Sequence, residues 1–276
     1  MTVLRTLLAL AGVIAFVGSA GARELPEGSR YVALGSSYAA GPGVGEPVPE
    51  APPRCGRGSL SYSREVARRL KLDLLDASCS GATTANLLGP WNELAPQIEA
   101  VTSDARLVTI TVGGNDVRFV GNLFAALCAT SGAPAMPNCP VYKAPTRAEW
   151  TRLAAAMTRI GREVHRRAPE ALVVFVDYPE VVPPEGTCAA LGVDDKAAAV
   201  ARGTAQWLAR ITAQAARRSG SLLLEASALS RGHGACAAEP WMWGAAPPPG
   251  GVAMHTTAAG HAAIAEALAR LVEEAR

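Results

Sequence analysis

The sequence predicts an α/β fold with a mainly parallel central sheet, and two observations support this. First, apolar or β-branched runs of the kind found in strands covered on both faces recur at 30–36, 72–78, 106–114, 171–179 and 221–227. Second, helix-like segments lie between or after them at 61–71, 92–101, 147–168, 192–219 and 257–275. Strands that alternate with helices favour parallel pairing in an α/β sandwich.

The bulk composition fits one globular domain with a sizeable core. The chain has 276 residues, of which 49% are hydrophobic and 18% are charged. The formal net charge of +2 gives no electrostatic basis for binding nucleic acid. We therefore expect a single domain over 23–276 that has no nucleic-acid partner.

The first 22 residues differ from the rest of the chain. Arg5 precedes a long apolar run, and the small residues Ala20 to Ala22 form an A-x-A cleavage signal. This pattern predicts a bacterial secretory signal peptide, residues 1–22, cut after Ala22. The run is short for a membrane span, which needs about 20 residues. The alternative is an uncleaved N-terminal anchor; no other segment is expected to cross a membrane.

Six cysteines in an exported chain predict three disulfides. Each of three long predicted loops, 41–60, 118–146 and 228–256, holds at least one of them. Sequential pairing is the simplest of the possible connectivities. A metal site is the alternative, but no C-x-x-C pair occurs and histidines are few, so we expect no zinc site.

Polar side chains follow the predicted strands where ligands bind in open α/β sheets. Ser36 and Ser37 follow the first strand, Gly81 the second and Asn115 the third, and His255 precedes the last helix. A serine hydroxyl becomes a nucleophile when an imidazole takes its proton, and backbone or amide N–H groups can stabilise the resulting oxyanion. Each residue alone is a weak signal, but the four in this order predict acyl-transfer chemistry.

Four segments, "YVALGSSYAAG", "CSGATT", "TVGGND" and "HTTAAGH", resemble the SGNH, or GDSL-like, hydrolases. The resemblance spans Tyr31 to His261 and is strongest to the secreted, disulfide-containing actinobacterial lipases and esterases. It implies a three-layer α/β/α fold (the SGNH hydrolase fold) and hydrolysis of carboxylic esters. It also favours the sequential disulfides Cys55–Cys79, Cys128–Cys139 and Cys188–Cys236.

The resemblance assigns a role to each matching residue. Ser37 would be the nucleophile and His255 the base. The oxyanion donors would be the backbone N–H groups of Ser37 and Gly81 and the side-chain amide of Asn115. Ser36 stands where the family usually has aspartate; because that aspartate is not the proton acceptor, its loss need not abolish catalysis. The alternative is that Ser36 itself is the nucleophile.

A second departure from the family pattern lies just before His255. Many family members have aspartate three residues earlier, where this chain has Val252. The segment "GGVAMH" contains no acid, so no side chain there can orient the imidazole. The resembled group offers a backbone carbonyl instead. We therefore predict a Ser37–His255 dyad oriented by the Val252 carbonyl.

The remaining polar and aromatic candidates have structural explanations. We expect His165 on a solvated helix face, His233 in a loop or at the edge of the site, and His261 packed in the last helix. Asp116 and Asp177 are predicted to stabilise turns, although each follows a strand and is a candidate site residue. Trp241 and Trp243 would either form an acyl- or sugar-binding wall or pack beside a disulfide.

The sequence thus predicts a secreted, monomeric serine esterase or lipase that forms an acyl-enzyme and needs no metal or organic cofactor. Its substrates would be small-molecule, lipid or glycan esters. One alternative is a carbohydrate deacetylase or acyl-glycan esterase on the same machinery. The other is a secreted binding protein on a catalytically decayed scaffold, which only the two departures support.

Overall fold

Five parallel strands form the central sheet in a computed structural model, which describes residues 25–131 and 139–275. The strand order is β2-β1-β3-β4-β5. The strands are β1 (Arg30–Gly35), β2 (Asp73–Asp76), β3 (Ala105–Thr111), β4 (Leu172–Val176) and β5 (Leu222–Leu224). Strand β1 is paired on both sides, with Val32 opposite Leu75 of β2 and Val108 of β3. The predicted signal peptide, 1–22, lies outside the described residues.

Helices connect the strands and follow the last one. They are α1 (Ser37–Ala40), α2 (Tyr62–Leu70), α3 (Thr84–Leu88), α4 (Phe119–Ser131), α5 (Arg147–Arg167), α6 (Asp195–Ser219), α7 (Ala226–Leu229) and α8 (Ala258–Glu274). Short 3₁₀ turns occur at Pro53–Cys55 and Gln97–Ala100. Within the described ranges, no helix combines the length and apolar character needed to cross a membrane.

Alternate side chains of the strands enter two separate cores. Val32 and Leu34 of β1 belong to the core shared with α4, α5 and α6, whereas Tyr31 and Ala33 belong to the core shared with α2 and α8. Strands buried on both faces explain the continuous apolar runs. The resulting order of layers confirms the predicted three-layer α/β/α sandwich.

Two predicted elements are wrong in type. The segment 118–146, predicted as a loop, contains the 13-residue helix α4. Phe119, Leu123 and Leu127 of this helix are buried, but Val120, Phe124 and Ala126 also pack against the core, so its apolar residues form no single stripe. The segment 92–101, predicted as a helix, forms only the 3₁₀ turn Gln97–Ala100, which begins directly after Pro96.

Candidate active site

Ser37 lies at the first turn beyond the carboxyl end of β1. Gly35 ends the strand with φ of +146°, and a Cβ atom there would lie 2.2 Å from the Thr111 carbonyl oxygen of β3. Only glycine fits this close approach of the two strands. Ser36 precedes helix α1 in an extended conformation, and Ser37 is its first residue. The chain thus turns sharply and places the Ser37 hydroxyl at the edge of the sheet.

His255 contacts Ser37 directly. Its Nε2 lies 2.8 Å from Ser37 Oγ, although 218 residues separate the two in sequence. Its Nδ1 lies 2.8 Å from the Ala253 carbonyl oxygen. Because a carbonyl only accepts, Nδ1 carries the ring proton and the neutral Nε2 accepts from the serine hydroxyl. This is the tautomer that a general base for Ser37 requires.

The prediction that Val252 orients the imidazole is wrong. The Val252 carbonyl accepts the backbone N–H of His255 at 3.2 Å, and the Ala253 carbonyl faces the ring. Met254 causes the difference because it has φ of +59°, a left-handed conformation that is rare for a bulky residue. The main chain therefore turns between Ala253 and His255 and presents a different carbonyl.

The Ser37–His255 pair is shielded from solvent. Ser37 is 9% exposed and His255 is 6% exposed. Burial lowers the pKa of His255, and the hydrogen bond with the Ala253 carbonyl opposes this effect. The imidazole is therefore neutral, and able to accept a proton, at neutral pH.

A three-residue segment, 241–243, holds the chain on either side of His255. Trp243 N–H donates to the His255 carbonyl and Thr257 N–H donates to the Trp241 carbonyl, both at 2.8 Å. Met242 and Thr256 form an antiparallel bridge between the two segments. Trp241 and Trp243 thus support the histidine through their main chain, and a role of their side chains as a substrate wall or in packing stays a prediction.

Gly81 lies in the turn that follows β2. Cys79 N–H donates to the Gly35 carbonyl at 3.0 Å, which joins this turn to the end of β1. Gly81 is exposed and has φ of +85°, where a side chain would be strained. A Cβ atom there would also lie 3.2 Å from the Trp91 ring. Its N–H group therefore lies on exposed main chain, with no side chain of its own to cover it.

Asn115 lies next to this glycine turn. Its Nδ2 donates one hydrogen bond to the Ala82 carbonyl at 2.9 Å. A primary amide has two N–H groups, so this bond fixes the side chain and leaves one donor for another acceptor. Ser37 adds a backbone N–H at the first position of α1, where the helix supplies no acceptor. The structure thus brings together three elements that carry predicted oxyanion donors.

Ser36 does not contact the imidazole through its side chain. Its Oγ lies 3.4 Å from the Tyr178 hydroxyl, which is long for a hydrogen bond between hydroxyls. The Tyr178 hydroxyl accepts the Gly114 N–H at 2.8 Å. Tyr178 was missed by the sequence analysis; its only signal is its position in "VDYP", directly after β4.

Asp116 and Asp177 each accept hydrogen bonds from a residue that is distant in sequence. Asp116 accepts from the backbone N–H and hydroxyl of Thr84 at the start of α3, and burial raises its pKa. Asp177 accepts from the N–H and hydroxyl of Ser227 in α7, and burial raises its pKa to about 6. Both residues therefore make structural hydrogen bonds, but to the starts of distant helices rather than within their own turns.

The other histidines lie elsewhere. His165 contacts the Ser221 hydroxyl, and His233 stacks on Trp241 with ring centroids 4.1 Å apart. His261 is buried, and its Nδ1 accepts the Tyr62 N–H at the start of α2 at 3.1 Å. Burial lowers the pKa of His261 to about 3. It therefore packs in the core as a neutral ring, as predicted.

Three disulfides join the loops around the sheet: Cys55–Cys79, Cys128–Cys139 and Cys188–Cys236. These are the pairs that the family resemblance implies. Cys79 comes two residues before Gly81, and Ser80 N–H donates to the Cys55 carbonyl at 3.0 Å, so the first disulfide supports the glycine turn. Among residues 25–131 and 139–275, no group of three His, Cys, Asp or Glu side chains is placed to hold a metal ion.

The geometry agrees with what comparison with known proteins finds. The model of the GDSL-like Lipase/Acylhydrolase family matches residues 33–263. The chain belongs to this family. As a GDSL-like hydrolase, it acts on carboxylic esters. A curated lipase from Streptomyces rimosus is 30% identical over 238 residues, which cover 85% of this chain and 84% of that lipase.

Solved structures of GDSL-like enzymes have the same fold. The extracellular lipase from Streptomyces rimosus superposes with a TM-score of 0.70 at 26% identity. Phospholipase A1 from Streptomyces albidoflavus NA297 superposes with a TM-score of 0.71 at 24% identity. Each comparison covers 90% of this chain and 100% of the solved chain.

Proposed function

We propose that this GDSL-like hydrolase is an exported, monomeric serine esterase or lipase that uses a Ser37–His255 dyad. The observation that carries the proposal is the 2.8 Å contact between Ser37 Oγ and His255 Nε2, in the tautomer set by the Ala253 carbonyl. Export agrees with the three disulfides, which persist in oxidising compartments. The signal peptide over 1–22 and the single domain over 23–276 are part of this proposal.

In the first half-reaction, Ser37 Oγ attacks the ester carbonyl carbon while its proton moves to His255 Nε2. The imidazolium keeps its Nδ1–H on the Ala253 carbonyl. The negative charge that develops on the carbonyl oxygen is stabilised by the N–H groups of Ser37 and Gly81 and by the Asn115 amide. When the intermediate collapses, the C–O bond to the alcohol breaks and the alcohol takes the proton from Nε2.

The acyl-enzyme is then hydrolysed by the same groups. Water attacks the acyl carbon while His255 Nε2 takes one of its protons. The same donors stabilise the second oxyanion. Collapse breaks the bond to Ser37 Oγ, which recovers its proton from Nε2 and releases the carboxylic acid. The chain's own residues are sufficient for every proton transfer.

The test is hydrolysis of p-nitrophenyl esters from acetate to palmitate by the oxidised mature protein. We expect Ser37→Ala and His255→Ala each to lower kcat/KM by at least about a thousandfold. Ser36→Ala is the matched control, because it removes the adjacent hydroxyl; we expect its kcat/KM to stay within about tenfold of wild type. Loss of activity in Ser36→Ala with retention in Ser37→Ala would show that Ser36, and not Ser37, is the nucleophile.

The same experiment separates the alternatives. The chain-length profile distinguishes a short-chain esterase from a lipase, and acetylated xylan tests the carbohydrate-esterase alternative. Covalent labelling by a fluorophosphonate tests whether Ser37 is activated even if no ester in the panel is a substrate. A protein that neither hydrolyses esters nor labels at Ser37 would be a binding protein on this scaffold.

A further inference from the structure

Two buried tyrosines, Tyr38 and Tyr178, lie between the loops that carry the proposed catalytic groups. Their rings meet edge to face, with centroids 4.7 Å apart and planes at 62°. Tyr38 follows Ser37 directly in α1, and Tyr178 comes from the end of β4. Both are less than 5% exposed. The pair therefore connects the ends of β1 and β4, two strands that are not neighbours in the sheet.

The Tyr178 hydroxyl holds the turn that carries Asn115. It accepts the Gly114 N–H at 2.8 Å, one residue before the proposed oxyanion donor. A Cβ atom on Gly114 would lie 2.9 Å from three atoms of the Tyr178 side chain, two in the ring and the hydroxyl oxygen. Glycine at this position thus allows the ring to approach the main chain. Loss of the hydroxyl would leave a buried N–H without its partner, which favours movement of the turn.

The Tyr38 hydroxyl holds the loop that carries His255. It donates to the Met254 carbonyl at 2.6 Å. Met254 has φ of +59°, a strained left-handed conformation that a bulky residue keeps only where its surroundings enforce it. The Tyr38 ring also lies 5.1 Å from the imidazole, measured between centroids. The hydrogen bond therefore stabilises the turn that presents the Ala253 carbonyl to His255.

Ser36 adds only a weak contact to this pair, because its hydroxyl is 3.4 Å from that of Tyr178, too far for a strong bond. The segment before His255 contains no acid. The carboxylates next to Asn115 and Tyr178 in sequence, Asp116 and Asp177, accept hydrogen bonds from residues at the starts of α3 and α7. Burial raises the pKa of Tyr38 well above its usual value and that of Tyr178 to about 12, so both hydroxyls stay neutral at ordinary pH.

We propose that Tyr38 and Tyr178 are positioning residues that align the base and the oxyanion donor of this hydrolase. Tyr178 acts through Gly114 on Asn115, and Tyr38 acts through Met254 on His255. The inference rests on the proposed function, because it assigns roles toward Ser37 chemistry. It predicts that the two hydroxyls act on the reaction by separate routes, one through Asn115 and one through His255.

The test compares Tyr38→Phe and Tyr178→Phe with Tyr31→Phe. Tyr31 is a matched control because it is fully buried and its hydroxyl hydrogen-bonds Thr109 at 2.8 Å, among residues of the α2–α8 core. We expect each of the first two variants to lower kcat by about tenfold with little change in KM. Tyr31→Phe should lower the urea midpoint by a comparable amount and leave kcat within twofold, since each variant loses one buried hydrogen bond.

The Asn115→Ala background separates the two routes. If Tyr178 acts through the Asn115 amide, Tyr178→Phe should lower kcat by less than twofold once that amide is gone. Tyr38→Phe should keep its tenfold effect there, because it acts on His255. The rate of fluorophosphonate labelling at Ser37 provides a second readout that needs no ester turnover, and Tyr38→Phe should slow it.

The possible outcomes distinguish this inference from the proposed function. If wild type hydrolyses esters and both Phe variants keep its kcat, the positioning role is overturned and the dyad stands. The role is also overturned if kcat falls as much in Tyr31→Phe as in the other two variants, because the loss of kcat would then follow from lower stability alone. If wild-type Ser37 neither turns over esters nor labels, the proposed function fails and the inference fails with it.

Discussion

At the residue scale, the distinctive feature is that a neutral main-chain carbonyl orients the imidazole of His255. A carboxylate in this position would stabilise the imidazolium and raise the pKa of the histidine. Here burial lowers that pKa, and only the Ala253 carbonyl opposes the effect. The base is therefore weaker than one paired with a carboxylate, and it stays unprotonated to lower pH.

This predicts the acid limb of the pH–rate profile. His255 accepts a proton only when neutral, so kcat/KM falls as pH drops through its pKa in the free enzyme. Since burial lowers that pKa from 6.5, we expect the inflection below pH 6.5. Initial rates on p-nitrophenyl acetate between pH 4 and 8 measure it. An inflection above pH 6.5 would mean that a carboxylate stabilises the imidazolium.

The sequence predicted the site residues better than the contacts between them. Ser37, Gly81 and Asn115 were chosen by residue type and by position after strands, and His255 by its position before the last helix; the structure places their elements at one edge of the sheet. The orienting carbonyl was assigned to Val252 instead of Ala253 because it depends on the left-handed Met254, and nothing in the sequence marks a methionine for that conformation.

At the element scale, His255 lies in a connecting segment rather than in a helix or strand. The 241–243 segment pairs with it, and the disulfide Cys188–Cys236 ends five residues before Trp241. Ala245 N–H also donates to the Ala190 carbonyl at 2.8 Å, near the other cysteine. The position of the histidine therefore depends on a cross-linked loop.

Removal of this disulfide should lower activity more than removal of another. Cys188→Ser/Cys236→Ser opens a loop of 48 residues and Cys128→Ser/Cys139→Ser one of 11. From loop entropy alone, the losses are about 4 and about 3 kcal/mol. We expect kcat to fall at least about fivefold in the first double variant and to stay within twofold in the second, measured where both remain folded. Equal kcat values would show that the loop holds His255 without the disulfide.

The type of an element was predictable where its burial leaves a simple sequence pattern, a continuous apolar run for a strand or an apolar face for a helix. The strands of the sheet and the helices α5, α6 and α8 agree with the prediction to within a few residues at their ends. Helix α4 was missed because residues on several of its sides pack against the core. Its sequence, "FVGNLFAALCATS", therefore lacks the polar face that identifies an amphipathic helix.

At the scale of the whole molecule, a buried neutral histidine couples stability to pH. His261 is 1% exposed, and burial lowers its pKa to about 3. In the unfolded chain its pKa is near 6.5. As pH falls below 6.5, the unfolded chain binds a proton that the folded protein does not, so the free energy of unfolding decreases until about pH 3.

His261→Asn should remove this dependence. The Asn side-chain oxygen, which is bonded to Cγ like Nδ1 of the histidine, can still accept the Tyr62 N–H, and no titrating group remains. We expect the stability of the variant relative to wild type to rise by about 1.4 kcal/mol for each pH unit below 6.5. Urea unfolding at pH 7, 6, 5 and 4 measures the difference, in which contributions from other groups, such as Asp177, cancel. A difference that does not change with pH would mean that His261 titrates normally.

The Ala253 carbonyl has a consequence for how this enzyme tolerates mutation. An aspartate that orients a histidine is encoded by two codons and is lost through most single-nucleotide changes. A main-chain oxygen is present whichever amino acid is encoded, so no codon change at position 253 deletes it. Alanine scanning would find no orienting residue here, and genetic drift at this position leaves the acceptor in place. Selection acts instead on the fold of the turn, through the residues that hold Met254.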